Sequence, residues 1–511
     1  MAKYIIGIDA GTSMIKSVLF DEKGNELGIA SKPVEMLMPA PGHMEQDMNA
    51  VWDSVVSVVK ETLDKTGADK SEVEAIAITA QADGLWLVDY EGNPVTNAMS
   101  WTDGRALDIC IRWYMDGTDQ KIYSTVGSTF YPGSYICLIK WLQENNPQLL
   151  EKAQWFATCK DWVKFKFTGD MSGDDSFAVT ANIAKREIDD AMLDVYGFRD
   201  VASKIPPMKV AQENHAPLKK EVADSLGLKA GIPVFGGPID VVACAIGAGV
   251  HNEGDACAIV GTTTMVDFAQ DTSESDPQGI GFTLMGSFPG KWVRAFGIMA
   301  GTPNLEWAIA NIGHKYIYEA EKKGTSVYDE IEEHIKDLPP GAGGVMYHPY
   351  ITFAGERAPF VKPSAKAQFF GISQEHTTDN LMCAVYEGVG FSIVDCIEHC
   401  LVKPDHLRVI GGGAKSRFWC QMFADMTGLD VIVPQGEEFG AKGASIVASV
   451  ALGLFPSAED AIEKTVHTKE VFTPNPEKTA VYQKLYGLYK SIYGHLWDDW
   501  DLRAGILQGQ I

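Results

Sequence analysis

The chain has 511 residues, too many for one hydrophobic core and enough for two domains. Hydrophobic residues at 46% and charged residues at 22% are the proportions of a globular enzyme, not of a disordered or fibrous chain. A net charge of -25 argues against a nucleic-acid partner, which needs clustered Lys and Arg.

The apolar run Tyr4-Ile5-Ile6 begins a strand at once and leaves no room for a secretory signal, so a cytoplasmic protein is expected. The nine cysteines are odd in number, scattered and without a CxxC pair, which fits a reducing compartment. Gly7-Ile8-Asp9-Ala10-Gly11-Thr12-Ser13 then turns into Val18-Leu19-Phe20. Residues 1 to about 30 therefore read as a β-meander, with a turn at Asp21-Glu22-Lys23-Gly24-Asn25. A Gly-Thr-Ser turn exposes successive backbone N–H groups beside hydroxyls and suits an oxyanion such as phosphate. Asp9, at the tip of the buried strand, either caps that turn or helps hold a magnesium ion against the phosphate.

A helix is predicted from Asp47-Met48-Asn49 to about Lys65, with Val51, Val55, Val56, Val59 and Leu63 on one side. The buried strand Ala75 to Thr79 follows and ends in Gln81-Ala82-Asp83-Gly84. A further strand, Leu85 to Val88, closes in the turn Asp89 to Pro94, and residues 105 to 200 read as mainly helical. The strand in Gly231-Ile232-Pro233-Val234-Phe235-Gly236-Gly237 leads to Asp240. That acid could take a proton from a hydroxyl or cap the next helix, and spacing leaves the two readings even.

A domain boundary is expected near residue 250. Beyond it Ala256-Cys257-Ala258-Ile259-Val260 runs into a second Gly-Thr turn, Gly261-Thr262-Thr263, and then Met265-Val266-Asp267-Phe268. Strand, Gly-Thr turn, strand, used twice, reads as two related halves gripping one polyphosphate from opposite sides. A helix from about Asp379 to Cys400 places Cys396, His399 and Cys400 on one face, read as packing because no second ligand pair is visible. The strand Leu407 to Ile410 and the turn Gly411-Gly412-Gly413-Ala414 offer close backbone approach to a flat ligand. Gly443 to Pro456 is uncharged but too short to span a bilayer, and reads as a buried helix against a close neighbour. The final helix carries Tyr482, Tyr486, Tyr489 and Tyr493 at packing intervals.

Several stretches together resemble the FGGY carbohydrate kinases, members of the wider actin/Hsp70/hexokinase ATPase fold. The most specific runs from Ala367 through Phe370-Gly371-Ile372 to Asn380-Leu381 and Ala384-Val385-Tyr386-Glu387-Gly388. Gly355-Glu356-Arg357-Ala358-Pro359, Trp101-Thr102-Asp103-Gly104-Arg105, and Gly412-Gly413-Ala414 with Ser416 and Trp419 are also similar to family motifs. The resemblance implies an α/β fold of two duplicated ribonuclease H-like domains. Residues 1–249 would carry the sugar site, the first phosphate loop and the catalytic acid, and 250–511 the nucleotide site.

By the same resemblance, Asp240 matches the catalytic base, and Asp9, with Asp240, the acids at Mg2+. Gly11, Thr12, Ser13 and Lys16 match the first phosphate loop of an ATP site, and Gly261, Thr262 and Thr263 the second. Gly412, Gly413 and Ala414 match the turn against adenosine, with Gly301 near the nucleotide. Gln81, Asp83 and Trp101 are the expected sugar contacts, beside Asp240. Many D-xylulose kinases of the family have Gln-Met-His-Gly where this chain has Gln81-Ala82-Asp83-Gly84, and glycerol kinases have Arg-Glu at the middle pair. Gln81 to Trp86 looks more like erythritol kinases and, less closely, L-xylulose kinases. The implied reaction is transfer of the γ-phosphoryl group of ATP to a small polyol or ketose of four or five carbons, with no nucleic-acid or membrane partner. A homodimer is left open. The alternatives weighed are a chaperone-like or regulatory ATPase of the same fold, or a kinase for glycerol, ribulose or gluconate.

Overall fold

The N-terminal meander forms in the computed structural model, which describes residues 3–177 and 179–507. β1 (Tyr4–Ala10), β2 (Met14–Phe20) and β3 (Glu26–Pro33) pair antiparallel, and the three-residue turn 11–13 joins the first two. α1 (Met48–Thr66) starts where the Asp47 carboxylate accepts from the Asn49 and Ala50 N–H groups. It buries Val51, Val55, Val59 and Leu63 as expected, but Val58 takes the core position and Val56 lies at the margin. Helical rotation explains the exchange, since position 58 continues the stripe set by 51, 55 and 62.

β4 (Val73–Ala80) lies parallel to β1, and β5 (His215–Pro217) and β6 (Pro233–Gly236) complete a six-stranded sheet ordered β5-β6-β4-β1-β2-β3. β4 is apolar along nearly its whole length because helices cover both faces of the sheet. Between β4 and β5 the chain is helical at Leu107–Met115, Thr118–Val126, Tyr135–Asn145, Pro147–Lys152, Cys159–Thr168 and Asp190–Tyr196. The expectation of a mainly helical stretch misses the short hairpin Ala181–Asn182 with Glu187–Ile188. There the Asn182 side chain accepts from the Ala184 and Lys185 N–H groups and reverses the chain, a device without helical periodicity.

The second sheet repeats the plan. β7 (Asp255–Val260) and β8 (Thr264–Gln270) pair antiparallel across the turn 261–263. β9 (Phe282–Met285) and β10 (Trp292–Ile298) extend that side, while β11 (His406–Gly411), β12 (Asp430–Pro434) and β13 (Thr468–Phe472) extend the other. The seven strands run β9-β10-β8-β7-β11-β12-β13. In both sheets a meander is followed, beside its first strand, by two parallel strands.

Helices join the halves. α2 (Asp240–Ala248) follows the first sheet, α3 (Thr378–Glu398) packs in the second half, and α4 (Phe439–Ala451) crosses α2 between the sheets. The crossing is backbone on backbone. A Cβ on Gly247 would fall 1.9 Å from the Phe439 carbonyl oxygen, and one on Gly443 1.8 Å from that of Ala243. α4 is the buried helix expected from the small residues after Gly443, begun four residues earlier. α3 is long and apolar enough to cross a membrane by length and composition, yet 89% of its apolar window is buried inside the protein. α5 (Pro476–His495) buries Tyr482, Tyr486 and Tyr489, and the Tyr486 and Tyr493 hydroxyls donate to Asp395. It is not the final helix, because α6 (Trp497–Leu507) follows and seats Trp500 in the core. Its Trp-Asp-Asp-Trp-Asp opening hides the apolar stripe by which helices are read.

Candidate active site in the cleft

Asp9, the penultimate residue of β1, lies directly across from Lys16 on β2, so the strand register puts a carboxylate and an ammonium near the first turn. The Lys16 ammonium pairs at 2.8 Å with Glu438, which immediately precedes α4. The turn is braced from below. The Thr12 hydroxyl donates to Gln81 Oε1 at 3.0 Å and accepts from the Trp101 indole at 2.7 Å. The Gln81 amide then donates to Gln46, which returns a bond to the Thr12 carbonyl. Ser13 stands exposed at the tip.

The second turn sits in the matching place on the other sheet. Gly301 donates to the Thr262 carbonyl at 3.1 Å and Thr302 to that of Gly261 at 2.8 Å. A Cβ on Gly301 would lie 2.4 Å from the Thr264 hydroxyl, so glycine is required where these two segments meet. Because β7 and β11 are parallel with Val260 opposite Gly411, the turn Gly412-Gly413-Ala414 lies beside Gly261. A crevice between the two halves is lined by Lys16 of β2, Gly412 and Ala414 of the glycine turn, and Glu438 and Lys442 at the start of α4.

Two carboxylates, Asp9 and Asp240, lie near enough for the charge of one to act on the other. Burial and the nearby Asp240 charge push the Asp9 carboxyl up from 3.8 to about 7, against the pull of Lys16. Burial lifts the Asp240 carboxyl to about 6, while N–H groups at the start of α2 oppose the shift; Asp240 Oδ1 accepts from Val241 at 2.9 Å. Asp9 Oδ1 is buried without a hydrogen-bond partner among the described residues. Oxygen donors of like charge, one of them orphaned, fit a hard divalent cation that takes its remaining ligands from phosphates and water.

Asp240 also lines a cavity of about 200 Å³ formed by both halves. The first half gives Asp83, Trp101 and Tyr131, and the second gives Thr263, Phe282 and Arg357. Asp83 sits at φ +60 and accepts from the Tyr131 hydroxyl and the Tyr135 N–H, each at 2.7 Å. Burial raises its carboxyl to about 6 despite these donors and Arg357. Gln81 does not reach the cavity: only 3% exposed, it spends its amide on Thr12 and Gln46, so the expected sugar contact is instead a brace for the first Gly-Thr turn. The Arg357 side chain donates to the Gly297 carbonyl and lies over the Tyr131 and Phe282 rings. Arg357 falls in the motif Gly355 to Pro359, which by itself gives it no site role, and nothing local marks Tyr131 or Phe282.

A model of the FGGY family of carbohydrate kinases, N-terminal domain, matches residues 4–247, and the family's C-terminal domain matches residues 256–452. An L-xylulose/3-keto-L-gulonate kinase of Escherichia coli (strain K12) is 30% identical over 97% of this chain and 98% of its own. An erythritol kinase of Brucella abortus (strain 2308) is 29% identical over 98% of each. The crystal structure of ligand-bound xylulose kinase from Lactobacillus acidophilus aligns with a TM-score of 0.88 over 97% of this chain and 98% of that one, at 24% identity, and so shares its fold.

Proposed function

The chain belongs to the FGGY family of carbohydrate kinases, and from that premise we propose how its own residues carry out the transfer. It is an ATP-dependent phosphotransferase with an alcohol acceptor, on the two-domain α/β fold of the actin/Hsp70/hexokinase ATPases. We propose domains at 1–249 and 250–511, and as acceptor a four- or five-carbon polyol or ketose such as erythritol or xylulose.

An alcohol is a weak nucleophile, so a base must take its proton as the oxygen attacks the γ-phosphorus. Asp240 is that base in our reading: it lines the acceptor cavity, and a carboxyl near 6 is ionised at neutral pH yet still basic. N–H groups of Gly11 to Ser13 and of Gly261 to Thr263 would hold the phosphate oxygens from two sides, with Lys16 adding positive charge. Such fixed dipoles do most of the work in phosphoryl transfer. Asp9 and Asp240 are the groups that would hold Mg2+, which when bound supplies charge against the β- and γ-phosphates. Gly412, Gly413, Ala414 and Gly301 would border the nucleoside. Asp83 and Trp101 would orient the acceptor, Asp83 by accepting from its hydroxyls, which discriminates strongly because an absent hydroxyl leaves a buried carboxylate short of partners.

The observation that carries this reading is the convergence of Asp83, Asp240 and Arg357 on one cavity beside both Gly-Thr turns. Arg357, a cation on the cavity wall, favours a second reading in which the acceptor is an acidic sugar such as gluconate or a keto-gulonate. The test is ADP release with erythritol, L- and D-xylulose, ribulose, glycerol and gluconate as acceptors. Stimulation by a neutral polyol or ketose supports the first reading, and stimulation by an acid alone the second. A response to none refutes the assigned acceptor cavity. The enzyme would be cytoplasmic.

A further inference from the structure

Arg186 stands at φ +56, closing the hairpin between Ala181–Asn182 and Glu187–Ile188 at a place where Gly or Asn would cost less. Its side chain accounts for the exception. The guanidinium donates to Asp175 Oδ2 through Nε at 2.8 Å and Nη2 at 2.5 Å. It also donates to three carbonyls of the loop between β9 and β10: Gly286 at 2.6 Å, Phe288 at 3.1 Å and Lys291 at 3.3 Å. That loop belongs to the second sheet, and Asp175 to the first half. Around this fork the edge of the second half docks on the first, with Thr283 donating to the Gly127 carbonyl and the Trp292 indole to that of Ile183.

The chain of contacts then leads inward. Asp175 lines the acceptor cavity, and its neighbour Ser176 accepts from the Ile239 N–H at 2.9 Å. Ile239 caps α2, whose first residue is Asp240. Carbonyls of one half, Arg186, Asp175-Ser176 and Ile239-Asp240 thus form one continuous path.

We propose that Arg186 is a positioning residue for the transfer: it registers closure of the 286–291 loop onto the first half and, through Asp175 and Ser176, holds Asp240 at its working angle. The inference rests on Asp240 being the base. Misplacement of a reacting group by about 1 Å can cost on the order of 100-fold in rate, which sets the scale.

The test compares the parent with Arg186→Gly, Ser176→Ala, the double variant and Asp240→Asn, measuring kcat, KM for ATP and melting temperature. Glycine relieves the left-handed backbone while removing the fork, so the fold has no reason to fail; should it do so, Arg186→Lys keeps the charge without the fork and answers the same question. Expected are a kcat fall of roughly tenfold or more in each single variant, an unchanged KM for ATP, and a double variant no slower than the slower single. A kcat fall of less than about threefold in Arg186→Gly, or losses that multiply, overturns the inference. Full activity in Asp240→Asn sinks the base and this inference together, whereas loss there with normal Arg186→Gly sinks the inference alone.

Discussion

Replacing Asp240 with Asn should make the enzyme slower and the unliganded protein more stable, and the two effects have one cause. A positioned general base contributes about 10²–10⁴-fold, so the barrier should rise by about 3–5 kcal/mol. The same carboxyl is destabilising when ionised. Its folded-state value of about 6 lies above the ordinary 3.8, so the folded protein holds this proton more tightly than the unfolded chain. Stability from this group is therefore fully present below about 4 and is lost as pH rises through about 6. The displacement corresponds to roughly 3 kcal/mol above that window, and access to the cleft reduces it to roughly 1–2 kcal/mol. Asparagine carries no charge to desolvate and removes the repulsion felt by Asp9. Melting without nucleotide or metal at pH 8 should rise by about 2–4 °C for a domain of about 250 residues, and the gain should shrink toward pH 5. Turnover measured by acceptor-dependent ADP release should fall at least about 100-fold at both pH values. A variant that melts lower at pH 8, or that keeps turnover within tenfold, would refute the reasoning.

The acid limb of kcat/KM should bend near the Asp240 value of about 6 and drop about tenfold per pH unit below it, because a protonated base cannot accept; a flat profile down to pH 5 contradicts this. Asp83→Asn leaves one oxygen for the Tyr131 hydroxyl and the Tyr135 N–H, so kcat/KM for the acceptor should fall about 10–100-fold with KM for ATP unchanged. Lys16→Met strands Glu438 and should raise KM for ATP about tenfold without moving KM for the acceptor. Gly443→Ala forces a methyl to within 1.8 Å of the Ala243 carbonyl and should cost about 3 kcal/mol or more, read as a lowered melting temperature.

Much of this protein is local chemistry. The two Gly-Thr turns are written in glycine and hydroxyl residues flanked by apolar strands, and only their bracing, by Gln81 and Trp101 for the first and by residues 301–302 for the second, comes from elsewhere in the chain. Asp47 starts α1 by itself, and the small residues around Gly443 announce a helix in backbone contact before its neighbour is known. What local pattern cannot carry is the direction of a side chain after the halves meet. Gln81 and Asp83 lie two residues apart on one strand end, yet packing turns Gln81 onto Thr12 and leaves Asp83 facing the cavity. Arg357 and Phe282 come to the cavity wall from far along the chain, and Val58 displaces Val56 by rotation of α1. Turns and strand ends follow from short-range sterics and hydrogen bonding, which sequence spells out. The cavity lined by Asp83, Asp240 and Arg357 exists only where the two halves close on one another, and that closure is set by contacts between residues far apart in the chain.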